Sequence, residues 1–308
     1  MAEKKRKKKS LVIVESPAKA KTINKYLGRE YVVRPSMGHV RDLPKSRLGV
    51  DLDNGFEPKY IVLRDRKAVV EELKKVLKEC DKVYLAPDPD REGEAIAWHL
   101  KEALKVPDDR AFRVTFNEIT KRAVEAAFDH PTAIDPNKVN AQQARRILDR
   151  IVGYQLSPLL WEKVAKNLSA GRVQSVAVML VVDREREIRA FRPEEFWVVS
   201  QEARAPGGPF TIWLKKRDGE LYEPVTEAEA REVVGHLDGA TWRVTEAENR
   251  RKTERPPPPF KTSTLQQAAA NALRFPTKRT MRVAQQLYEG VEIGDEGSAG
   301  LITYMRTD

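Results

Sequence analysis

Four acidic side chains stand within seven residues: Asp88, Asp90, Glu92 and Glu94. They follow Val83-Tyr84-Leu85-Ala86, whose apolar and small residues read as a short buried strand. Ala95 to Leu104 then read as a helix, with Ile96, Leu100, Ala103 and Leu104 on one face. The carboxylates therefore sit where a strand hands over to a helix, the edge at which open α/β sheets take ligands. Asp88 and Asp90 are two apart, so an extended backbone points both the same way. Hard oxygens on one side suit Mg²⁺, which keeps several waters and takes few protein ligands. A solvated acidic turn that stabilises a helix N-terminus explains the same spacing.

A second apolar strand, Leu11 to Val14, ends in Glu15-Ser16-Pro17-Ala18-Lys19. In a parallel sheet that acid and lysine share an edge with the Asp cluster. An exposed loop acid and a solvated helix lysine are the plain alternatives. Near the other end, Leu301 to Met305 reads as a strand after the Gly-rich stretch 294–300, and it carries Tyr304. A tyrosine in such a place is in most proteins a packing ring. As a nucleophile, a phenol with a reference pKa of ~10 needs cations beside it. Arg306, two residues on, shares a strand face with Tyr304 and suits that task, or else makes an ordinary salt bridge.

The surrounding elements form four blocks. Residues 11–135 alternate strands (11–14, 31–33, 60–63, 83–86, 112–116) with helices (18–27, 66–79, 93–104, 119–128), the pattern of a mostly parallel sheet. Asn117 or Thr120 caps the last helix, and 44–58 reads as a long loop. Residues 136–192 are helical. There an apolar stripe (Ala144, Ile147, Leu148, Ile151, Val152) ends at Gly153, with Arg145, Arg146 and Arg150 beside it. Three arginines on one helix grip phosphates or pair with acids such as Asp149. Leu168 to Ser175 is a polar turn holding Ser169, Arg172 and Gln174. It opens a further helix, offering N–H groups to phosphate or simply capping through Ser169. Residues 193–255 shift to strands (196–203, 210–215, 241–246), with turns at Gly207-Gly208 and Asp218-Gly219 and a short helix within 223–238. Four prolines, 256–259, mark a boundary. Beyond it come a helix with a Ser263/Gln266 capping box and a second helix, 280–289, stopped by Gly290.

Composition narrows the classes. The chain has 308 residues and a net charge of +10, from 56 Lys and Arg against 46 Asp and Glu, which favours a polyanion partner. The single cysteine, Cys80, rules out a disulfide framework and zinc-finger spacing. It reads as a semi-buried thiol at a helix end, compatible with a reducing cytoplasm. No apolar run reaches membrane-spanning length. Residues 1–10, with their Lys/Arg run, read as a disordered basic arm. No GxxxxGK[ST] phosphate loop occurs, so nothing suggests ATP.

Glu15 after its strand, followed by Asp88-x-Asp90-x-Glu92, resembles the Toprim domain of topoisomerases and primases. Leu11 to Thr22, Ser36 to Pro44, Asp88 to Leu100 and Gly300 to Asp308 resemble the bacterial branch of the type IA DNA topoisomerases. The resemblance implies a multidomain α/β plus α plus β fold. A Rossmann-like Toprim domain (11–135) is followed by a helical DNA-binding domain (136–192), the first half of a β-rich arch (193–255) and a tyrosine domain (256–308). It implies that Tyr304 attacks a phosphodiester of single-stranded DNA and is left joined to the 5′-phosphate. Glu15 trades a proton with the leaving 3′-oxygen, Lys19 holds the phosphate and Arg306 neutralises it. Asp88, Asp90 and Glu92, with Glu15, carry Mg²⁺. Arg113, Arg145, Arg146, Arg150, Ser169, Arg172, Gln174, Gln285, Glu289 and Thr303 contact DNA. His39 lies in a family string without an assigned role. The expected partner is negatively supercoiled DNA, without ATP or membrane, and the protein is a cytoplasmic monomer. A Toprim-type nuclease using the acids alone, and a non-catalytic single-strand binder, are the rival classes. The family continues beyond the string around Tyr304, so the chain is expected to be a truncated portion that relaxes DNA poorly by itself.

Overall fold

A computed structural model describes residues 9–294 and 297–306. The basic arm expected over 1–10 lies outside the described residues up to Lys8. Lys9 and Ser10 already belong to the first strand, β1 (Lys9–Val14). The chain divides into two compact units, residues 1–174 with 257–308, and residues 175–256.

In the first unit β1 leads to α1 (Pro17–Tyr26) and β2 (Tyr31–Pro35). Four two-residue strands follow: β3 (Arg41–Asp42), β4 (Val50–Asp51), β5 (Glu57–Pro58) and β6 (Ile61–Val62). Then come α2 (Lys67–Leu77), β7 (Cys80–Leu85), α3 (Arg91–Leu104), β8 (Ala111–Arg113) and α4 (Lys121–Asp129). The main sheet has the order β2-β1-β7-β8 and is parallel throughout. Leu11 to Val14 and Val83 to Leu85 are fully or nearly fully buried, as strands covered on both faces must be. Leu11, Ile13, Val83 and Leu85 pack with Leu73 and Leu100 on one side. Val12, Val14 and Tyr84 pack with Ile23, Ile119 and Tyr288 on the other.

Three expectations for this region are corrected. Residues 60–63 do not join the sheet: β6 pairs antiparallel with β3, and β4 with β5, so the expected loop 44–58 holds a small hairpin. Cys80 begins a strand and is 1 % exposed, and burial pushes its thiol pKa up. The helix after the acidic cluster starts at Arg91, earlier than the apolar stripe alone suggests, because Asp90 caps it.

Helix α5 (Pro136–Lys163) runs straight through Gly153, where the stripe was expected to end. Its own backbone bonds carry it past one glycine, a weak breaker. Helix α6 (Arg172–Ala190) starts after Ser169, which is therefore not its N-cap. The second unit contains an antiparallel hairpin, β9 (Ser200–Ala205) with β10 (Gly208–Trp213). A shorter hairpin pairs β11 (Lys216–Arg217) with β12 (Glu220–Leu221). Asp218 and Gly219 both have positive φ, 54° and 88°, as the Asp-Gly turn demands. Helix α7 (Glu227–Leu237) follows, while 241–246 forms no strand.

The first unit resumes with α8 (Thr262–Leu273) and α9 (Thr277–Glu289). The Ser263/Gln266 box is not formed. The Thr264 hydroxyl accepts the Lys261 N–H instead, because the helix starts two residues earlier, with Lys261 at the cap. Strands β13 (Val291–Glu292) and β14 (Ser298–Ala299) pair, so the Gly-rich stretch 294–300 contains a strand, with residues 295 and 296 outside the described set. Residues 301–305, expected as a strand, form none. They are pinned singly: Gly300 N–H donates to Ile119 O (3.0 Å), Leu301 N–H to Leu287 O (2.7 Å) and Tyr304 N–H to Asn117 O (2.7 Å).

Candidate active site

The order β2-β1-β7-β8 reverses direction between β1 and β7, so the crevice beyond their carboxyl ends is the topological switch point. Glu15 follows β1 there, and Asp88 and Asp90 follow β7. A Glu15 Oε1 accepts the Asp88 N–H at 2.6 Å, joining the two strand ends. Ser16 caps α1 by accepting the Lys19 N–H at 3.2 Å, and this aims Lys19 inward. Lys19 is 1 % exposed, donates to Asp88 Oδ1 at 2.5 Å and lies over the rings of Phe116 and Tyr288.

Asp90 has two roles at once. Its Oδ1 accepts the Gly93 N–H at 2.7 Å as the cap of α3. Its Oδ2 accepts the Tyr304 hydroxyl at 2.6 Å and an Arg306 N–H at 3.3 Å. Tyr304 and Arg306 thus share one carboxylate oxygen although no strand carries them. A Cβ on Gly93 would lie 2.1 Å from the Asp88 carbonyl oxygen, so only glycine lets α3 approach the acidic turn this closely.

The electrostatics separate the acids. Burial pushes the Glu15 carboxyl up, and the neighbouring Asp88 carboxylate adds to the push while Lys19 opposes it. A hydrogen bond from His39 holds Glu92 well down, at about 2, with Gln142 helping. Burial and the Asp90 bond raise the Tyr304 phenol strongly, so the resting phenol keeps its proton.

Arg113, expected beside DNA, is instead 1 % exposed. It pairs with Glu94 Oε2 at 2.9 Å and donates to the carbonyls of Leu85, Pro87, Val114 and Asp88. It braces the Asp88 turn from beneath, and no donor is left facing solvent. Arg146 makes a two-pronged pair with Asp42, at 3.0 and 2.6 Å. Arg145 and Arg172 both face Asp149, at 3.8 and 3.3 Å. Arg150 is partly exposed on the same helix, and Thr303 is exposed beside Tyr304. Ser169 donates to Gln174 Oε1 at 3.3 Å. Gln285 donates to Glu289 at 2.9 Å, and Glu289 accepts the Ser16 hydroxyl at 2.9 Å, so this pair steadies the helix that bears Lys19. A cleft of about 460 Å³ runs between Asp90, Glu92, Arg145, Arg146 and Arg306.

Asp42, Glu94, Gln142 and Tyr288 enter this site without having been singled out for it. Asp42 lies inside the Ser36–Pro44 string. Glu94 was read only as one of the four clustered acids, and it turns to Arg113 instead. Gln142 and Tyr288 carried no signal beyond neighbouring charged residues. Tyr288 is fully buried and donates to Phe116 O at 3.2 Å.

Among the described residues no three His, Cys, Asp or Glu side chains stand close enough to share a metal. Glu92 is drawn off to His39 and Gln142, so Asp88, Asp90, Glu92 and Glu15 are not gathered round one point. The donor chemistry of Asp88 and Asp90 still fits a hard cation that needs few protein ligands. Among the described residues no helix is long and apolar enough to cross a membrane.

Residues 10–119 match the Toprim domain family, and residues 133–308 match the family described as DNA topoisomerase. The structure is similar to that of full-length topoisomerase I from Thermotoga maritima, with 46 % identity and a TM-score of 0.83 over 97 % of this chain. The chain spans 49 % of that protein's length.

Proposed function

The chain belongs to the type IA DNA topoisomerase family, and from that premise we propose that its acidic crevice breaks and rejoins one DNA strand through Tyr304. The observation that carries this reading is the shared Asp90 oxygen, which sets the Tyr304 hydroxyl and an Arg306 N–H at one point of the Toprim crevice.

In cleavage the Tyr304 oxygen attacks the phosphorus of a single-stranded segment. Its proton passes to Asp90, which already accepts it. Arg306 and Lys19 neutralise charge on the phosphate as the bond forms. The 3′-oxygen leaves and takes a proton from Glu15, whose raised pKa suits a donor. The tyrosine ends as a 5′-phosphotyrosine. Rejoining runs the same path backwards, with the 3′-hydroxyl as nucleophile and Glu15 recovering its proton. The phosphodiester energy is kept, so no ATP enters. Asp88 and Asp90 would hold Mg²⁺, with waters completing the shell. When bound, the cation supplies positive charge beside the scissile phosphate.

Arg145, Arg146 and Arg150 on α5 would carry the strand along the cleft. Passage of a second strand and relaxation of negative supercoils belong to the reading of the whole protein. The four-domain layout (11–135, 136–192, 193–255, 256–308) stands on the same footing.

Trapping tests the proposal. A 3′-end-labelled single-stranded oligonucleotide is incubated with the chain, quenched in denaturant and resolved by size. The expected result is label that migrates with protein and is lost in Tyr304→Phe. Free shortened fragments with no adduct, unaffected by Tyr304→Phe, would favour a nuclease. Binding without either product would leave only a single-strand binder.

A further inference from the structure

Two tyrosines meet in the crevice, and they differ in what they can reach. Tyr304 is partly exposed, with its hydroxyl on Asp90. Tyr288, on α9, is fully buried, and its hydroxyl donates to Phe116 O at 3.2 Å. Burial and then the Asp88 carboxylate push the Tyr288 phenol pKa up, so it keeps its proton. Shut off from solvent, Tyr288 has no path to a phosphate. It can, however, fix the groups that do reach one.

Its ring touches two of them. The Lys19 ammonium lies 5.6 Å from the Tyr288 ring centroid and 5.2 Å from that of Phe116, within cation–π reach. Asp88 Oδ1 takes one N–H of this ammonium, which has three to place. A buried charge with so few partners is costly unless something else attracts it, and the two ring faces do so. The Tyr304 ring packs on the Tyr288 ring, with centroids 5.1 Å apart and planes at 59°. No strand holds Tyr304, so this contact carries much of its placement. Tyr288 itself is fixed. It packs with Val12 and Val14 of β1, and the neighbouring Leu287 carbonyl takes the Leu301 N–H. A Cβ on Gly300 would lie 2.7 Å from the Tyr288 carbonyl oxygen, so glycine lets the Tyr304 segment cross α9 this closely.

We propose that Tyr288 is a positioning residue whose ring fixes the Lys19 ammonium relative to the Tyr304 phenol, so that cation and nucleophile meet the same phosphate. It touches no substrate and acts through those two side chains. The proposal rests on the strand-breaking reading above, in which Lys19 neutralises the phosphate that Tyr304 attacks. The hold on Lys19 is electrostatic, and its strength follows the negative charge on the ring face.

The test is the single-turnover rate of adduct formation on an end-labelled single-stranded oligonucleotide, with affinity measured alongside by anisotropy. Three proteins are compared: the native chain, Tyr288→Phe, and a chain with a trifluorinated phenylalanine at position 288. Fluorine draws charge from the ring face and keeps the ring's shape, so folding is preserved while the attraction weakens. Tyr288→Phe keeps the ring and is expected to stay within about threefold of the native rate, a small part of one hydrogen bond. The fluorinated ring is expected to slow the step a further two- to thirtyfold or so, the span of one cation–π contact, with affinity unchanged. Equal rates for the plain and fluorinated rings would overturn the positioning role and leave the strand-breaking reading standing. So would a Tyr288→Phe rate as low as the fluorinated one, which assigns the effect to the hydroxyl, or a loss of rate matched by a loss of affinity. Failure of the native chain to form any adduct would overturn both.

Discussion

At the scale of single residues, Asp90 decides how the site rests. One carboxylate caps α3 and accepts from both Tyr304 and Arg306, so the proposed nucleophile is held in the crevice with its proton on. Glu92 beside it makes a pH prediction. Its folded pKa, about 2, lies below the ordinary value of 4.5. Its contribution to stability is therefore whole above the ordinary value and fades as pH falls towards the folded one. Urea titrations at about pH 5 and about pH 3 should show a smaller acid loss in Glu92→Gln than in the native chain. Gly93→Ala should cost about 1–3 kcal/mol, because its Cβ meets the Asp88 carbonyl and the turn must shift. The same shift should lower adduct formation in the trapping assay. Spacing drew attention to the acids, and the family resemblance singled out Tyr304 and Arg306, but neither could pair Glu92 with His39, which is 53 positions away.

At the scale of elements, strand ends and helix starts place the chemistry, and one buried pair braces them. Arg113 at the end of β8 joins Glu94 of α3 to the carbonyls of the β7 turn. Both partners are almost fully buried, so removing one leaves an uncompensated charge. Arg113→Met should destabilise the chain by about 3–5 kcal/mol in chemical denaturation. The expectation that Arg113 faces DNA failed for a physical reason. A sequence shows that an arginine is present, not that five acceptors surround it. The alternation of strands and helices was legible from apolar runs and capping residues such as Thr120, whose hydroxyl accepts the Ala123 N–H. Residues 60–63 and 301–305 had strand composition, but their partners decide pairing. The first found β3, and the second found isolated bonds to Asn117, Leu287 and Thr262.

At the scale of the molecule, positive charge is plentiful, yet much of it is locally paired. Arg145 and Arg172 share Asp149, and Arg146 is clasped by Asp42. An incoming phosphate must compete with these acids, so each arginine should contribute a countable part of the salt dependence. Replacing Arg145 by Ala should reduce the slope of log K against log salt by about 0.7 for a single strand. Anisotropy titrations over a salt series measure this directly. An unchanged slope would place the strand elsewhere.

By itself the sequence determined the α/β, parallel-sheet character of the Toprim region, the position of its acids at strand ends, and the family. Local patterns encode strands, helix starts and the strings around Glu15, Asp88 and Tyr304. Only the tertiary structure decided what those groups touch. It drew Tyr304 and Arg306 onto Asp90 across more than two hundred positions, turned Arg113 inward and left Glu92 with His39 rather than with its neighbouring acids. Such pairings depend on packing between distant segments, which no local periodicity records.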